Sequence, residues 1–525
     1  MYLIMTERLT WQCPIALSKK EELICKKLKT TGKLFVFLRQ YRHIIFNDEI
    51  NERLISMYHD HPKGKPPIPA AQLAMATILQ AYEQKSDAGA TLDAMFDIRW
   101  RMVLDSLDNE EAPFSQGTLC DFRHRLIKHN MDEILLSHTV EVAKEVGGFS
   151  YKSLRVALDS APLQGCGRVE DTFNLVAHAL ELLIDCIATV KNCEQQTLVS
   201  EIGAKYIGKS SIKAALDIDW SDTNEKANAI THLMDDVNLL KMWLTKQASY
   251  VVEHKAFKES LQLLETVLSQ NIEPDPDGGA RIKQGVSQNR LISITDQAMK
   301  HGRKSSSRTI NGFKQHIAID MEYKLILATS VRPANEPEHH ASIYLKPKVE
   351  KYGHVNELSI DRGYLAATWT LDLHQQGYKV IAKPWTFPDK GLFTKKEFKI
   401  DLINKEAECP AGNIARIQQG KEQKAKFKIS ECQNCDKKTQ CTRSATGRVI
   451  SIHKHEDLMQ DLKEYTGTVN GRAAARERVK VEHSLASICN RKGHRARYRG
   501  LRLNEFDLSR TAMITNLHIS MNLAA

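Results

Sequence analysis

No low-complexity tract interrupts the 525 residues, and no apolar run approaches the ~18 residues needed to span a bilayer. The opening "MYLIMTERLTWQC" turns polar almost at once, so a signal peptide is not expected. The 11 cysteines are an odd number without secretory context, which argues against a disulfide framework. These absences predict a cytoplasmic chain with no membrane partner. Acidic residues are in the minority: 64 Asp and Glu face 74 Lys and Arg, and the net charge of +10 favours an anionic partner. With 42% hydrophobic residues, a chain of this length predicts two or three units with sizeable cores.

The positive charge is unevenly spread. Segment 472–502 carries Arg472, Arg476, Arg478, Lys480, Arg491, Lys492, Arg495, Arg497, Arg499 and Arg502 against only Glu477 and Glu482, a density suited to phosphate. Read as one helix, Ala475, Val479, Glu482, Ala486 and Cys489 recur at steps of 3 and 4 and share a face. Every member of that stripe is small or apolar except the glutamate. A carboxylate aimed at a packed surface is costly unless it is paired or bound to a cation, so Glu482 is expected to point inward at a partner. An i,i+4 pair with Arg478 is the plainer alternative, but it leaves the place on the stripe unexplained.

Residues 1–145 read as helical. Leu73, Ala76, Thr77, Leu79 and Gln80 pattern a helix after the breaker run "HPKGKPPIPAAQ". "PFSQGTLCDFRHRLIKHN" sets a Ser start signal before a basic amphipathic helix with Arg123 and Arg125, which resembles the second helix of a helix-turn-helix; a solvated basic face is the competing reading. From about residue 150 the period changes, and "LRVALDSAPL" alternates as a strand that Pro162 ends. Residues 172–270 return to helix and read as an insertion between strands, closed by "EPDPDGGARIKQG". A hairpin turning at about residues 321–324, a strand "ELSIDRGY", a helical run and a strand "YKVIAKP" follow. The expected class is α/β, a mixed sheet with helical cover.

Two of these strands end in acid, at Asp159 and Asp361, where sheet rims release loops and bind ligands. If the strands are neighbours, the carboxylates repel unless a cation joins them. With Glu482 they form a set able to hold two Mg²⁺ (or Mn²⁺) ions for an in-line phosphoryl displacement. Asp after a strand is also a common turn or capping residue, and Asp320 is ranked below Asp361 because it falls at the hairpin turn. Four cysteines gather separately: Cys409, then Cys432, Cys435 and Cys441 in "CQNCDKKTQC". A Cys-x₂-Cys pair with two more thiolates suits structural Zn²⁺, with His453 able to replace one ligand; reduced thiols that bind nothing are the alternative. The lysine-rich flank "GKEQKAKFK" suits contact with a DNA backbone.

The ordered set "ALDSAPLQG", "RTINGFKQHIAID", "VRPANEPEHH", "SIDRGYL" and "RVKVEHSLASICNRKGHRARYRGL" resembles the DDE transposases of bacterial insertion sequences. "LDAMFDIRWRMVLDSL" and "SQGTLCDFRHRL" look like their helical N-terminal domain, so the resemblance runs from about residue 60 to the end. It implies a helical DNA-binding domain over 1–145 and an RNase H-like catalytic domain over 146–525. The latter is interrupted by a helical insertion at about 172–275 and a Cys-rich insert at about 405–445. It also implies a metal-binding triad of Asp159, Asp361 and Glu482. Along the glutamate helix many relatives carry Tyr, Arg, Glu and Lys; Arg478 and Glu482 match, whereas Ala475 and Cys489 depart, with Arg491 or Lys492 as substitutes for the missing cation. The implied partner is double-stranded DNA, bound by two or more copies in a nucleoid-associated assembly, with Lys314, Arg495, Arg497 and Arg499 on phosphates. The alternatives are a non-catalytic DNA-binding protein and a nuclease of the same fold without strand transfer.

Overall fold

The computed structural model describes residues 10–12, 14–58, 68–207, 211–247, 249–276, 278–285, 287–304, 307–385, 391–418, 420 and 423–525. Most of the breaker run before residue 70 and Lys421 of the lysine-rich flank lie outside the described residues.

Up to Gly147 the described chain is helical. Local signals start and stop these helices. Ser18 and Glu21 form a reciprocal capping box, Ser115 accepts from the Thr118 N–H, and Gly148 ends helix Met131–Gly147 in the left-handed region at φ 64°. Helix Ala70–Glu83, rich in alanine, is buried along nearly its whole length and packs against the C-terminal helix Leu501–Leu523. One hydrophobic cluster therefore runs from Leu38, Leu79 and Phe122 through Phe313 and Ile317 to Ile488 and Phe506. The N-terminal helices share a core with the sheet.

The central sheet is built from β1 (Leu154–Gln164), β2 (Lys300–Arg303), β3 (Thr309–Asp320), β4 (Ile326–Pro333), β5 (Val355–Ser359) and β6 (Lys379–Ile381). Its order is β2-β3-β1-β5-β6, with β4 also paired to β3. Strands β1, β3 and β4 pair antiparallel, whereas β1, β5 and β6 run parallel. The C-terminal helix covers β4: the Asn516 side chain accepts from Ile326 N at 2.8 Å and donates to Ile326 O at 2.9 Å, so this edge strand is not left open.

Two sequence expectations need correction here. Pro162 does not end β1, which continues to Gln164. Pro162 shares its parity with Gln164, whose N–H leaves the sheet for His494 O at 2.8 Å, so the missing proline donor falls on the edge facing away from β3. Second, helix Thr172–Lys191 is apolar and long enough to cross a membrane. It is 56% buried, because it fills the separate core of the helical block with Leu233, Leu264 and Val267. The cysteine segment belongs to a five-stranded antiparallel sheet from Lys399 to Ile452 with its own small core. Its short strands carry no long alternation to read.

Candidate active site

Register brings the two aspartates together. Ala157 in β1 is paired with Ser359 in parallel β5, and Asp159 and Asp361 each lie two residues further on. Side chains in a strand repeat every two residues, so both carboxylates continue the same face. Asp159 does not end its strand as expected: β1 runs on to Gln164 against β3, and the aspartate lies just past the last residues paired with β5. Asp159 is nearly buried, with 14% of its side chain exposed, while Asp361 caps a single 3₁₀ turn and is 55% exposed.

Glu482 reaches them from a helix that follows another after a single residue. Helix Val469–Glu477 ends at Arg478, and Val479–Lys492 starts again after it. The buried face nevertheless keeps its phase across the break, because Ala474 before it and Val481 and Ile488 after it recur at steps of seven. The inward face of the second helix is Val481, Ser484, Leu485, Ile488 and Cys489, while Val479 and Ala486 are exposed. The expectation that Glu482 lies on the packed face is wrong: half of its side chain is exposed, on the flank toward the sheet rim. The plainer alternative is present, since Arg478 Nη2 donates to Glu482 Oε1 at 2.8 Å.

The same guanidinium stands 3.6 Å from Asp159 and 3.7 Å from Asp361. Three carboxylates thus surround one cation. Arg478 Nη1 is buried and makes no hydrogen bond, so toward the aspartates the guanidinium is held by charge alone. Burial raises the Asp159 carboxyl above its ordinary range; Arg478 and the Ser160 N–H pull it down, and Asp361 pushes it up. One positive charge amid three acids leaves net negative charge that a divalent cation would offset, and carboxylate oxygens are the donors Mg²⁺ and Mn²⁺ prefer. Among the described residues no group of three or more His, Cys, Asp or Glu is already arranged to hold a metal ion.

The basic residues separate into two kinds. Arg495, Arg497 and Arg499 are exposed on a segment that bridges to the end of β1 at Arg495 and bends from Arg497 on; Ala496 N donates to Gln164 O at 2.6 Å. Arg125 is exposed and lies over the Tyr58 ring, 4.6 Å from its centre. The others are committed inside the protein, against the expectation of phosphate contact. Arg123 forms a two-pronged pair with Asp87 at 2.6 and 2.7 Å. Lys492, with 4% of its side chain exposed, is paired with Asp507 at 3.2 Å. Lys314 donates to Glu336 O at 2.9 Å, and burial lowers its pKa. Arg491 is partly buried over Tyr82, so neither it nor Lys492 stands free to replace a lost helix cation. Asp320 is spent on the hairpin, accepting from the Glu322 and Tyr323 N–H groups at 3.0 and 2.7 Å.

Sequence reasoning passed over two neighbours of the acids. Lys304, at the exposed tip between β2 and β3, lowers the Asp159 pKa by its charge. Glu338, after β4, accepts from Ser160 Oγ at 2.6 Å. Neither has a spacing that marks it.

Cys409, Cys432, Cys435 and Cys441 line one small cavity of about 20 Å³ with Glu431 and Arg448. Burial raises the Cys441 thiol pKa, and the three other thiols add to the rise while Arg448 opposes it. His453 lies elsewhere, its ring against Trp385.

Residues 24–125 match the family described as Transposase domain (DUF772), and residues 408–519 match the family described as Transposase DDE domain. Both ends of the chain are therefore similar to transposase domains. Together the two matches support a DDE-type transposase of an insertion element. The second match contains Glu482 and Arg478 and begins just before the cysteines; Asp159 and Asp361 lie outside both. No curated protein and no solved structure matches the chain.

Proposed function

We propose that the protein binds the terminal inverted repeats of its own element and catalyses metal-dependent strand cleavage and strand transfer on DNA. What carries this reading is the meeting of Asp159, Asp361 and Glu482 around Arg478, from elements far apart in sequence. The arrangement, antiparallel β1, β3 and β4 followed by parallel β5 and β6 with short β2 antiparallel at the edge, supports an RNase H-like sheet within residues 146–525, with the helices of 1–145 as the DNA-binding part.

Asp159, Asp361 and Glu482 would hold two Mg²⁺ or Mn²⁺ ions, which supply Lewis acidity to the attacking and leaving oxygens of an in-line displacement. The chain's own residues do the rest. Arg478 holds the acids together against their mutual repulsion. The Ser160 N–H, 2.8 Å from Asp159 Oδ1, fixes the orientation of that carboxylate. Arg495, Arg497 and Arg499 offer charge to a phosphate backbone without reading sequence, which suits an enzyme that must also accept unrelated target DNA. The four cysteines, soft donors around one small cavity, would hold a structural Zn²⁺. Two or more copies on DNA, in the cytoplasm at the nucleoid, complete the reading.

Asp361→Asn tests it. With duplex carrying the element's end, Mg²⁺-dependent cleavage should fall by at least a thousandfold, a loss of about 4 kcal/mol in transition-state stabilisation, while binding changes little. Cleavage that survives the change would remove Asp361 from the chemistry. Cleavage without joining of the cut end to plasmid DNA would point to a nuclease.

A further inference from the structure

Gly363 poses a question that its backbone does not answer. It is absent from the residues with positive φ, so the glycine is not required by chain conformation. What it provides is room: a Cβ placed there would overlap Glu338 Oε2. The other oxygen of the same carboxylate accepts the Ser160 hydroxyl at 2.6 Å. Glu338 therefore touches the residue after Asp159 with one oxygen and abuts the residue two after Asp361 with the other.

We propose that Glu338 is a positioning residue that clips the Asp159 and Asp361 turns together and sets the separation of their carboxylates. It rests on the reading of these aspartates as the metal-holding pair. The chain of contact is short. Glu338 fixes the Ser160 hydroxyl, and the backbone N–H of Ser160 donates to Asp159 Oδ1 at 2.8 Å. On the other side the carboxylate packs on the 3₁₀ turn Arg362–Tyr364, whose capping residue is Asp361. Beneath both, the Tyr364 hydroxyl shares a 2.6 Å hydrogen bond with His316 Nδ1, so the turn is anchored to β3 from below. Glu338 itself is held on its own 3₁₀ turn, Glu338–His340, which belongs to neither acid-bearing strand. With both oxygens engaged in this way, it acts through the aspartates. Groups that orient ligands in this manner are worth about tenfold to a hundredfold in metal affinity.

The test uses the full-length protein and Mn²⁺ alone, with bound ion measured by electron paramagnetic resonance. Glu338→Ala should weaken Mn²⁺ binding about tenfold, while Glu338→Gln, whose amide oxygen can accept the same Ser160 proton, should stay within about twofold of the native protein. Gly363→Ala should weaken binding by displacing the carboxylate, and its effect should vanish in a Glu338→Ala background, as expected for two changes acting on one contact. Native affinity in Glu338→Ala, or a Gly363→Ala defect of equal size in both backgrounds, overturns the proposal. If Gly363→Ala does not fold, the Ala and Gln variants at 338 decide alone. Asp361→Asn is the control: if it binds Mn²⁺ as the native protein does, the metal-holding reading has failed rather than the clip.

Discussion

His316 lies in β3 with only 1% of its surface exposed, bonded to Tyr364 and facing the charges of Lys314 and Arg332. Burial, with those cations adding, pushes its pKa down from 6.5 to about 3, so the ring is neutral in the folded chain at all ordinary pH. In the unfolded chain it takes a proton near 6.5. Between these values the unfolded state holds the extra proton, so stability rises with pH and is lost on acidification. The loss from this one group is about 1.4 kcal/mol per pH unit across that window. The urea midpoint should therefore fall between about pH 6.5 and pH 4.5 more steeply in the native protein than in His316→Gln. Parallel curves would mean that the imidazole titrates freely in the fold.

The elements are joined by a run of buried polar contacts that no single helix reveals. Arg123 pairs with Asp87, Asp87 accepts from Gln80 Nε2 at 2.6 Å, Gln80 accepts from Arg510 at 3.3 Å, and Arg510 and Lys492 share Asp507 at 3.2 Å each. The run links the basic N-terminal helix to the C-terminal helix and to the glutamate helix. Arg123→Ala would leave Asp87 partly buried without its main partner, and should cost roughly 2 kcal/mol of stability with little change in DNA affinity. A variant that melts normally but binds DNA weakly would return Arg123 to the interface. These same contacts mark the limit of what sequence pattern conveys. The alternation of "VALDSAP" and "LSIDRGY" was enough to find two strands carrying acids, because strand periodicity is local, but not to show that β1 runs on past Asp159. The inward face of the glutamate helix was not legible, since small residues lie on both faces: Ala474 is buried, whereas Ala475 and Ala486 are not. The burial of Lys492 was hidden too, because Asp507 lies on another helix and makes its own contacts with Arg510. Glu338 stayed unseen for a similar reason: its partners Ser160 and Gly363 come from two other segments.

Across the whole molecule, the net charge of +10 matters less than which cations remain outside. Ion pairs inside the fold occupy Arg39, Arg42, Arg123, Lys492 and Arg510. The segment after the glutamate helix keeps its charge exposed: Ala496 is buried against the end of β1, and Arg495, Arg497 and Arg499 are left in solvent. Alternate residues lie at most about 7 Å apart along any chain, so these three exposed guanidinium groups are close enough together to meet neighbouring phosphates. Each phosphate neutralised releases counterions and adds about 0.9 to the salt dependence of binding, so three contacts are worth about 2.7 in the slope of log K against log salt. Replacing Arg495, Arg497 and Arg499 together with Gln should flatten that slope by about 2.7 and weaken binding to element ends and to unrelated duplex alike. Measured by titration over a range of salt, a slope equal to the native one would show that DNA does not lie on this segment. Loss confined to the element's own ends would mean that these arginines read bases.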